Sequence, residues 1–424
     1  MAIQLLRYPQ LGPSLWSFDK LPVGVRVENL PLLAEDRGES HGVLYSRGGE
    51  RTVVCMMHPR GDMSRHYAIP YLLDAGYAAF GQAGRWVNND VGLIHEMLIM
   101  DVAASMTELR RRGFDRIVLL GNSGGGALYT FYQSQACTAA PGRLTTTAAG
   151  DPYDLNAFEM PVADGIIQLA THLGQGMLML GCIDPSVVRE DDQLSLDPSL
   201  DMFNSDNGFK EPDASSSYSA EFLSQYRAAQ RGRIARLDAI ARSSIDVQRH
   251  HQVEMADEYF ADLSLKQKQF VWRRAFAGRF MEIHRTEANP AYCDLSIHAS
   301  ARDYGSFFSP RPDIFNSIEA GFGRLQTPRA WLSTWSGLSS RASTLECIPK
   351  ITIPTLVISY TGDNVVWTAD LEAIHAASGA RDKQLHYVDG DHLGYAPKCN
   401  PNAPGRDGAM KIVTTWLRER FTAS

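Results

Sequence analysis

The stretch Arg116-Ile117-Val118-Leu119-Leu120-Gly121-Asn122-Ser123-Gly124-Gly125-Gly126-Ala127 reads as a buried strand, a glycine-flanked serine and the start of a helix. A serine on so sharp a strand-to-helix turn takes strained backbone angles, so its neighbours two positions away must lack side chains that would collide. Gly121 and Gly125 occupy those two places. The turn lifts the hydroxyl into the open and sets the next backbone N–H, that of Gly124, at a helix N-terminus where an oxyanion can be stabilised. A phosphate-cradling loop is the competing reading, but the segment contains neither G-x-x-x-x-G-K-[ST] nor G-x-G-x-x-G. Ser123 is the candidate nucleophile.

A serine attacks only when a base takes its proton, and the base needs a carboxylate to fix its tautomer. Downstream, Ile353-Pro354-Thr355-Leu356-Val357-Ile358-Ser359-Tyr360 is a β-branched apolar run, and Thr361-Gly362-Asp363-Asn364 follows it. Then Gln384-Leu385-His386-Tyr387-Val388-Asp389 reads as another strand, ending in Gly390-Asp391-His392-Leu393-Gly394. The chain order is Ser123, Asp363, His392, each in the loop after a strand. That order and the elbow resemble the α/β-hydrolase family, and the resemblance implies Ser123 as nucleophile, His392 as base and Asp363 as its orienter. Asp151, after the apolar run Leu144-Thr145-Thr146-Thr147-Ala148-Ala149, is the rival acid. Asp389 and Asp391 stand too close to His392 in sequence to orient its ring.

The family's second oxyanion donor comes from the turn after an earlier strand. Arg51-Thr52-Val53-Val54-Cys55-Met56-Met57 followed by His58-Pro59-Arg60-Gly61 is similar to its His-Gly loop, although Pro59 has no N–H to give. Gly124 and Arg60 are therefore the expected oxyanion donors, with Gly61 the other residue able to supply one and His58 a structural hydrogen-bonder.

Composition bounds the rest. With 424 residues and 44% hydrophobic content the chain can bury a large core in two units. A net charge of −7, with both signs mixed along the chain, argues against nucleic acid and gives no attraction to a membrane. Met1 to Pro9 shows no charged start before a long apolar core, and no run of about twenty apolar residues occurs, so a cytoplasmic protein is expected. Cys55, Cys137, Cys182, Cys293, Cys347 and Cys399 are widely spaced, with no C-x-x-C pair and no histidine at metal-ligand spacing. They read as reduced thiols, and neither metal nor cofactor is expected.

The fold class expected is α/β: a mostly parallel central sheet with helices on both faces plus a large helical cap insertion. Strand signals from about 24 to 57 suit an antiparallel start. Helices over 67–75, 93–111 and 125–135 then alternate with strands over 77–80, 116–120 and 144–149. After Asp151 this rhythm stops until the Asp363 strand. The expected division is 1–152 and 346–424 for the hydrolase core, with 153–345 as the inserted cap. Within the cap, helices are expected over 164–180, 220–253 and 265–284, and residues 197–218 read as an exposed loop. Tyr304, Phe307, Phe308, Phe315, Phe322, Trp331 and Trp335 either line a pocket over Ser123 or form the cap's core. Arg227, Arg231, Arg233, Arg236 and Arg242 read as a solvated face with local acidic partners, an anion-attracting strip or a subunit contact.

These readings imply a serine hydrolase cleaving a carboxylic ester, lactone or thioester of a bulky, mostly apolar small molecule through an acyl-enzyme. The alternatives are a C–C bond hydrolase of a diketone-type intermediate, an acyltransferase and a non-catalytic ligand-binding relative. A homodimer through the cap is left open.

Overall fold

A computed structural model describes residues 18–424 apart from Asn88 and Asp213; the segment Met1 to Pro9 lies outside the described residues. Eight strands form one sheet in the spatial order β1 (Arg26–Leu33), β2 (Glu39–Ser46), β4 (Ala78–Ala83), β3 (Thr52–Met57), β5 (Arg116–Asn122), β6 (Gly165–Leu169), β11 (Thr355–Tyr360) and β12 (Lys383–Val388). The pairs β1/β2 and β2/β4 are antiparallel, and every later pair is parallel. This is the expected α/β architecture, and the strand order and connections are those of an α/β-hydrolase fold.

Alternation along the strands builds a core on each face of the sheet. Val53, Cys55, Ile117 and Leu119 point into one layer, with Leu98 and Val102 of α2 (His95–Arg111), Leu128 and Phe131 of α3 (Gly124–Ala136) and Leu371 of α7 (Thr368–Ala377). Val54, Met56, Val118 and Leu120 point into the other, with Ile69 and Leu72 of α1 (Ala68–Asp74) and Val413 and Trp416 of α8 (Gly405–Arg420). Strands buried on both faces carry unbroken apolar runs, which is why β3 and β5 were legible.

Two expectations are corrected. Residues 144–149 form no strand of the sheet: only an isolated bridge, Thr146 to Pro152, marks an irregular turn. The next strand is Gly165-Ile166-Ile167-Gln168-Leu169, inside the run expected to be a helix, and the helix there is α4 (Gln175–Cys182). A short apolar run gives no period that separates a doubly buried strand from a buried helix. The sheet therefore continues through residue 169, and the insertion lies between β6 and β11 rather than starting at 153.

The insertion carries α5 (Ala220–Ala256), which matches expectation, and α6 (Leu265–Ala275), which stops well before 284. Past its end, Phe276 and Phe280 are exposed. The small pairs β7 (Val187–Arg189) with β8 (Asp192–Leu196) and β9 (Met281–Glu282) with β10 (Leu325–Gln326) were not anticipated. Ile234, Leu237 and Ala241 of α5 pack with Met179, Trp331 and Trp335. The α5 arginines are not a simple solvated face: Arg233 is 1% exposed, and Glu190 accepts from Arg233 at 2.8 Å and Arg236 at 2.7 Å. Among the described residues no helix is long and apolar enough to cross a membrane.

Candidate active site

The elbow forms where β5 runs into α3. Ser123 has φ 55° and ψ −125°, a conformation an L-residue holds only when its surroundings dictate it. Those surroundings are close backbone: a Cβ on Gly121 would strike Gly126, and one on Gly125 would strike the Met57 carbonyl at the end of β3. The Ser123 N–H donates to the Leu169 carbonyl at 3.0 Å, so the end of β6 anchors the turn. The preceding Asn122 donates its Nδ2 to the same carbonyl at 3.1 Å. Its Oδ1 lies 3.1 Å from His66 Nε2, and since His66 Nδ1 accepts the Ala68 N–H, the Nε2 must be the donor.

The loops after β11 and β12 deliver the other two expected residues. His392 Nε2 lies 2.9 Å from Ser123 Oγ, and His392 Nδ1 lies 2.7 Å from Asp363 Oδ2. All three are buried, Ser123 at 7% exposure, His392 at 4% and Asp363 at 3%. The Asp363 Oδ1 accepts the backbone N–H groups of Val365 at 2.6 Å and Val366 at 2.9 Å. With the carboxylate so held, Nδ1 carries the ring's proton and Nε2 is left to accept from the serine. Asp391 shapes the histidine loop instead, its Oδ1 accepting from Leu393 and Tyr395. Asp389 accepts the Thr361 hydroxyl. Asp151 is bound to Arg249 and Arg329 and does not meet His392.

The oxyanion expectation divides. Gly124 is the first residue of α3, in the turn whose N–H groups have no partner within the helix. Arg60 is corrected: its N–H and that of Gly61 both donate to His58 Nδ1 at 3.1 Å, so neither is turned to the serine. Its side chain pairs with Asp90 and lies over the rings of Trp335 and Phe322.

Two site residues escaped the sequence reading. His172 and Gln175 follow β6, whose assignment to a helix hid the loop at its carboxyl end, the edge where open α/β sheets bind ligands. His172 Nδ1 accepts the Gly174 N–H at 3.0 Å. A Cβ on Gly124 would lie 2.7 Å from Gln175 Nε2, 2.9 Å from His58 Nε2 and 3.1 Å from His172 Nε2. Burial holds His58 well below the ordinary imidazole range, aided by the Arg60 charge. It pushes His172 down to about 3, with His392 adding to the effect.

Of the aromatic group, Phe307 meets the His392 ring edge-on, centroids 5.4 Å apart, while Trp331 and Trp335 are wholly buried in the insertion's core. A cavity of about 230 Å³ is lined by His392, Phe307 and Leu393, and one of about 290 Å³ by His172, Leu178, Val365 and Trp367, with Arg227 at its polar side. Away from the site, His250, His251 and Glu254 on α5 bring ligand atoms within 4.8 Å of one another, a helical spacing that the sequence reading passed over. Glu254 is already bonded there to His251 and Tyr259.

No family model matches this chain, and no curated protein matches it. Among solved structures it is similar to an esterase from Pyrococcus furiosus, at 12% identity over 96% of this chain and 99% of that one, with a TM-score of 0.43. It is also similar to a hypothetical protein from Pseudomonas aeruginosa, at 12% identity over 97% and 99%, with a TM-score of 0.48. An alpha/beta hydrolase from a Penicillium species matches at 11% identity over 93% and 99%, also with a TM-score of 0.48.

Proposed function

We propose that this chain, which folds as an α/β-hydrolase, is a serine hydrolase that cleaves a carboxylic ester or thioester through an acyl-enzyme on Ser123. The observation that carries the reading is the unbroken line from Ser123 Oγ through His392 to the doubly braced Asp363 carboxylate. Such a line has one chemical use that its strained, buried geometry matches, activation of a hydroxyl.

In the reaction, Ser123 Oγ attacks the carbonyl carbon as its proton passes to His392 Nε2. The new imidazolium is steadied by Asp363. The carbonyl π electrons move to oxygen, and the oxyanion is met by the Gly124 N–H. Collapse expels the alkoxide or thiolate, which takes the proton from His392, leaving the acyl-serine. Water then repeats the sequence, giving its proton to His392 and its oxygen to the acyl carbon, and Ser123 leaves with that proton. Every atom and charge is accounted for without a cofactor.

The substrate proposed is a small molecule of moderate bulk whose apolar part packs on Phe307, Leu178, Val365 and Trp367. The insertion acts as its cap: its Phe307 leans on the base, while Leu178 of α4 lines the cavity beside His172. Exclusion of bulk water by that cover strengthens the interactions that hold the oxyanion.

The test is hydrolysis of a chain-length series of p-nitrophenyl esters by the wild type and Ser123→Ala, with fluorophosphonate labelling read by intact mass. Turnover and a single adduct, both lost in Ser123→Ala, are expected. A wild type that neither hydrolyses esters nor gains the adduct would overturn the reading.

A further inference from the structure

We propose that the oxyanion in this enzyme is completed by side-chain donors, the Nε2–H groups of His58 and His172 with the Gln175 amide beside them, in place of a backbone N–H from the loop after β3. The inference rests on the reading of Ser123 as the nucleophile.

Three observations support it. The hydrogen-bond pattern fixes both tautomers: His58 Nδ1 accepts from Arg60 and Gly61, and His172 Nδ1 accepts from Gly174, so in each ring the proton must sit on Nε2. Those two Nε2 atoms and Gln175 Nε2 gather around Gly124, within 2.7 to 3.1 Å of where a Cβ would stand, so close that only glycine leaves them room. Gly124 is bonded directly to Ser123, so the three nitrogens lie beside the reacting centre. Finally, Gln175 is 2% exposed, and among the described residues neither its Nε2 nor its Oε1 has a hydrogen-bond partner. A buried amide left so is costly unless something arrives to use it.

The electrostatics suit the task. Both rings are held neutral by burial. A neutral imidazole N–H donates to a developing oxyanion without placing a cation beside His392, which must itself become positive in the same step. A charged donor there would oppose the proton transfer it is meant to assist. The loop after β3 thus contributes indirectly: the two N–H groups that the family pattern would aim at the oxyanion instead fix the His58 tautomer, and the ring presents the donor.

The test separates the two ends of each ring. Asparagine in place of His58 or His172 keeps an oxygen near Nδ1 for the backbone N–H groups and removes the Nε2–H; glutamine keeps a donor near Nε2 and loses the Nδ1 acceptor. With p-nitrophenyl butyrate, His58→Asn and His172→Asn should each lower kcat by about 10² to 10³-fold, with KM changed by less than about threefold. Fluorophosphonate labelling of Ser123 should slow in parallel, and His58→Gln and His172→Gln should recover at least about tenfold of what the asparagine variants lose. Melting temperatures identify any variant that has failed to fold; if His58→Asn is one, the His172 pair decides. Asparagine variants that melt like the wild type and keep kcat within about threefold, singly and combined, overturn this proposal and leave the Ser123 reading standing. A wild type without turnover or labelling overturns that reading, and this one with it.

Discussion

The Asp363 carboxylate gives one oxygen to His392 Nδ1 at 2.7 Å and keeps the other on the N–H groups of Val365 and Val366. The side chain is held from two sides, so its orientation does not depend on the histidine.

Asp363→Asn should therefore retain its place while inverting the ring's proton. The amide oxygen would stay on Val365 and Val366, and the NH₂ would face Nδ1 and donate to it. The imidazole proton would then move to Nε2, where it cannot accept from Ser123. A fall in kcat of about 10⁴-fold is expected, with little change in melting temperature. Steady-state ester kinetics and a thermal melt check both halves.

Asp151 should behave in the opposite way. Its oxygens accept from Arg329 Nε at 2.8 Å and Arg249 Nη2 at 3.1 Å, tying the end of the irregular turn to α5 and to the segment before Trp331. Its side chain is 26% exposed, so solvent weakens the pairs. Asp151→Asn should cost about 1 kcal/mol of stability and leave kcat within about twofold of wild type. Urea unfolding and ester kinetics on the same preparation separate the two effects.

What could be read in advance, and what could not, follows from the physics of these segments. The elbow was legible because its glycines are demanded by backbone contacts a few residues away: Gly121 against Gly126 is a constraint visible in the local sequence. Asp363 was legible because it follows a short β-branched strand by a few residues, and His392 because it sits in a glycine-bounded loop after another short strand. The strand Gly165–Leu169 was not, since its short run continues into further apolar residues that read as one long helix, and the threonines at 145–147 offered a stronger β signal to a segment that only turns. That single slip carried others with it: it moved the insertion's start and hid His172 and Gln175. The engagement of Arg60 N–H by His58 had no sequence signal, because which lone pair a histidine offers depends on the fold of its loop.

The buried neutral state of His172 makes stability depend on pH in a definite direction. Its folded pKa is pushed down to about 3 by burial, below the ordinary value of 6.5, so the unfolded chain binds the proton more readily. The stabilisation is fully present above about pH 6.5 and is lost as pH falls from there toward the folded pKa. The difference in unfolding free energy between wild type and His172→Asn should thus shrink by about 1.4 kcal/mol per pH unit as pH falls from 6 to 4. Taking the difference cancels groups common to both proteins. Urea midpoints at half-unit steps measure it, and a difference that stays flat would count against a buried neutral ring at this position.

Gly124→Ala asks which of two opposed effects wins. On backbone grounds the change is at most mildly favourable, since alanine is the better helix former but Gly124 stands at the first position of α3. On packing grounds the new methyl would stand 2.7 Å from Gln175 Nε2 and 2.9 and 3.1 Å from the two imidazole Nε2 atoms. The glutamine end is flexible enough to yield, but the rings are held through their Nδ1 atoms by backbone N–H groups and have less room to move. The packing term wins, so the folded variant should be less stable than wild type by about 1 to 3 kcal/mol. Function should suffer more, because the methyl would displace the three nitrogens that are proposed to meet an oxyanion at Ser123. A loss of kcat of about 10²-fold or more is expected, with fluorophosphonate labelling slowed to the same degree. An alanine variant that folds normally and keeps wild-type kcat would mean that the nitrogens around Gly124 take no part in the reaction.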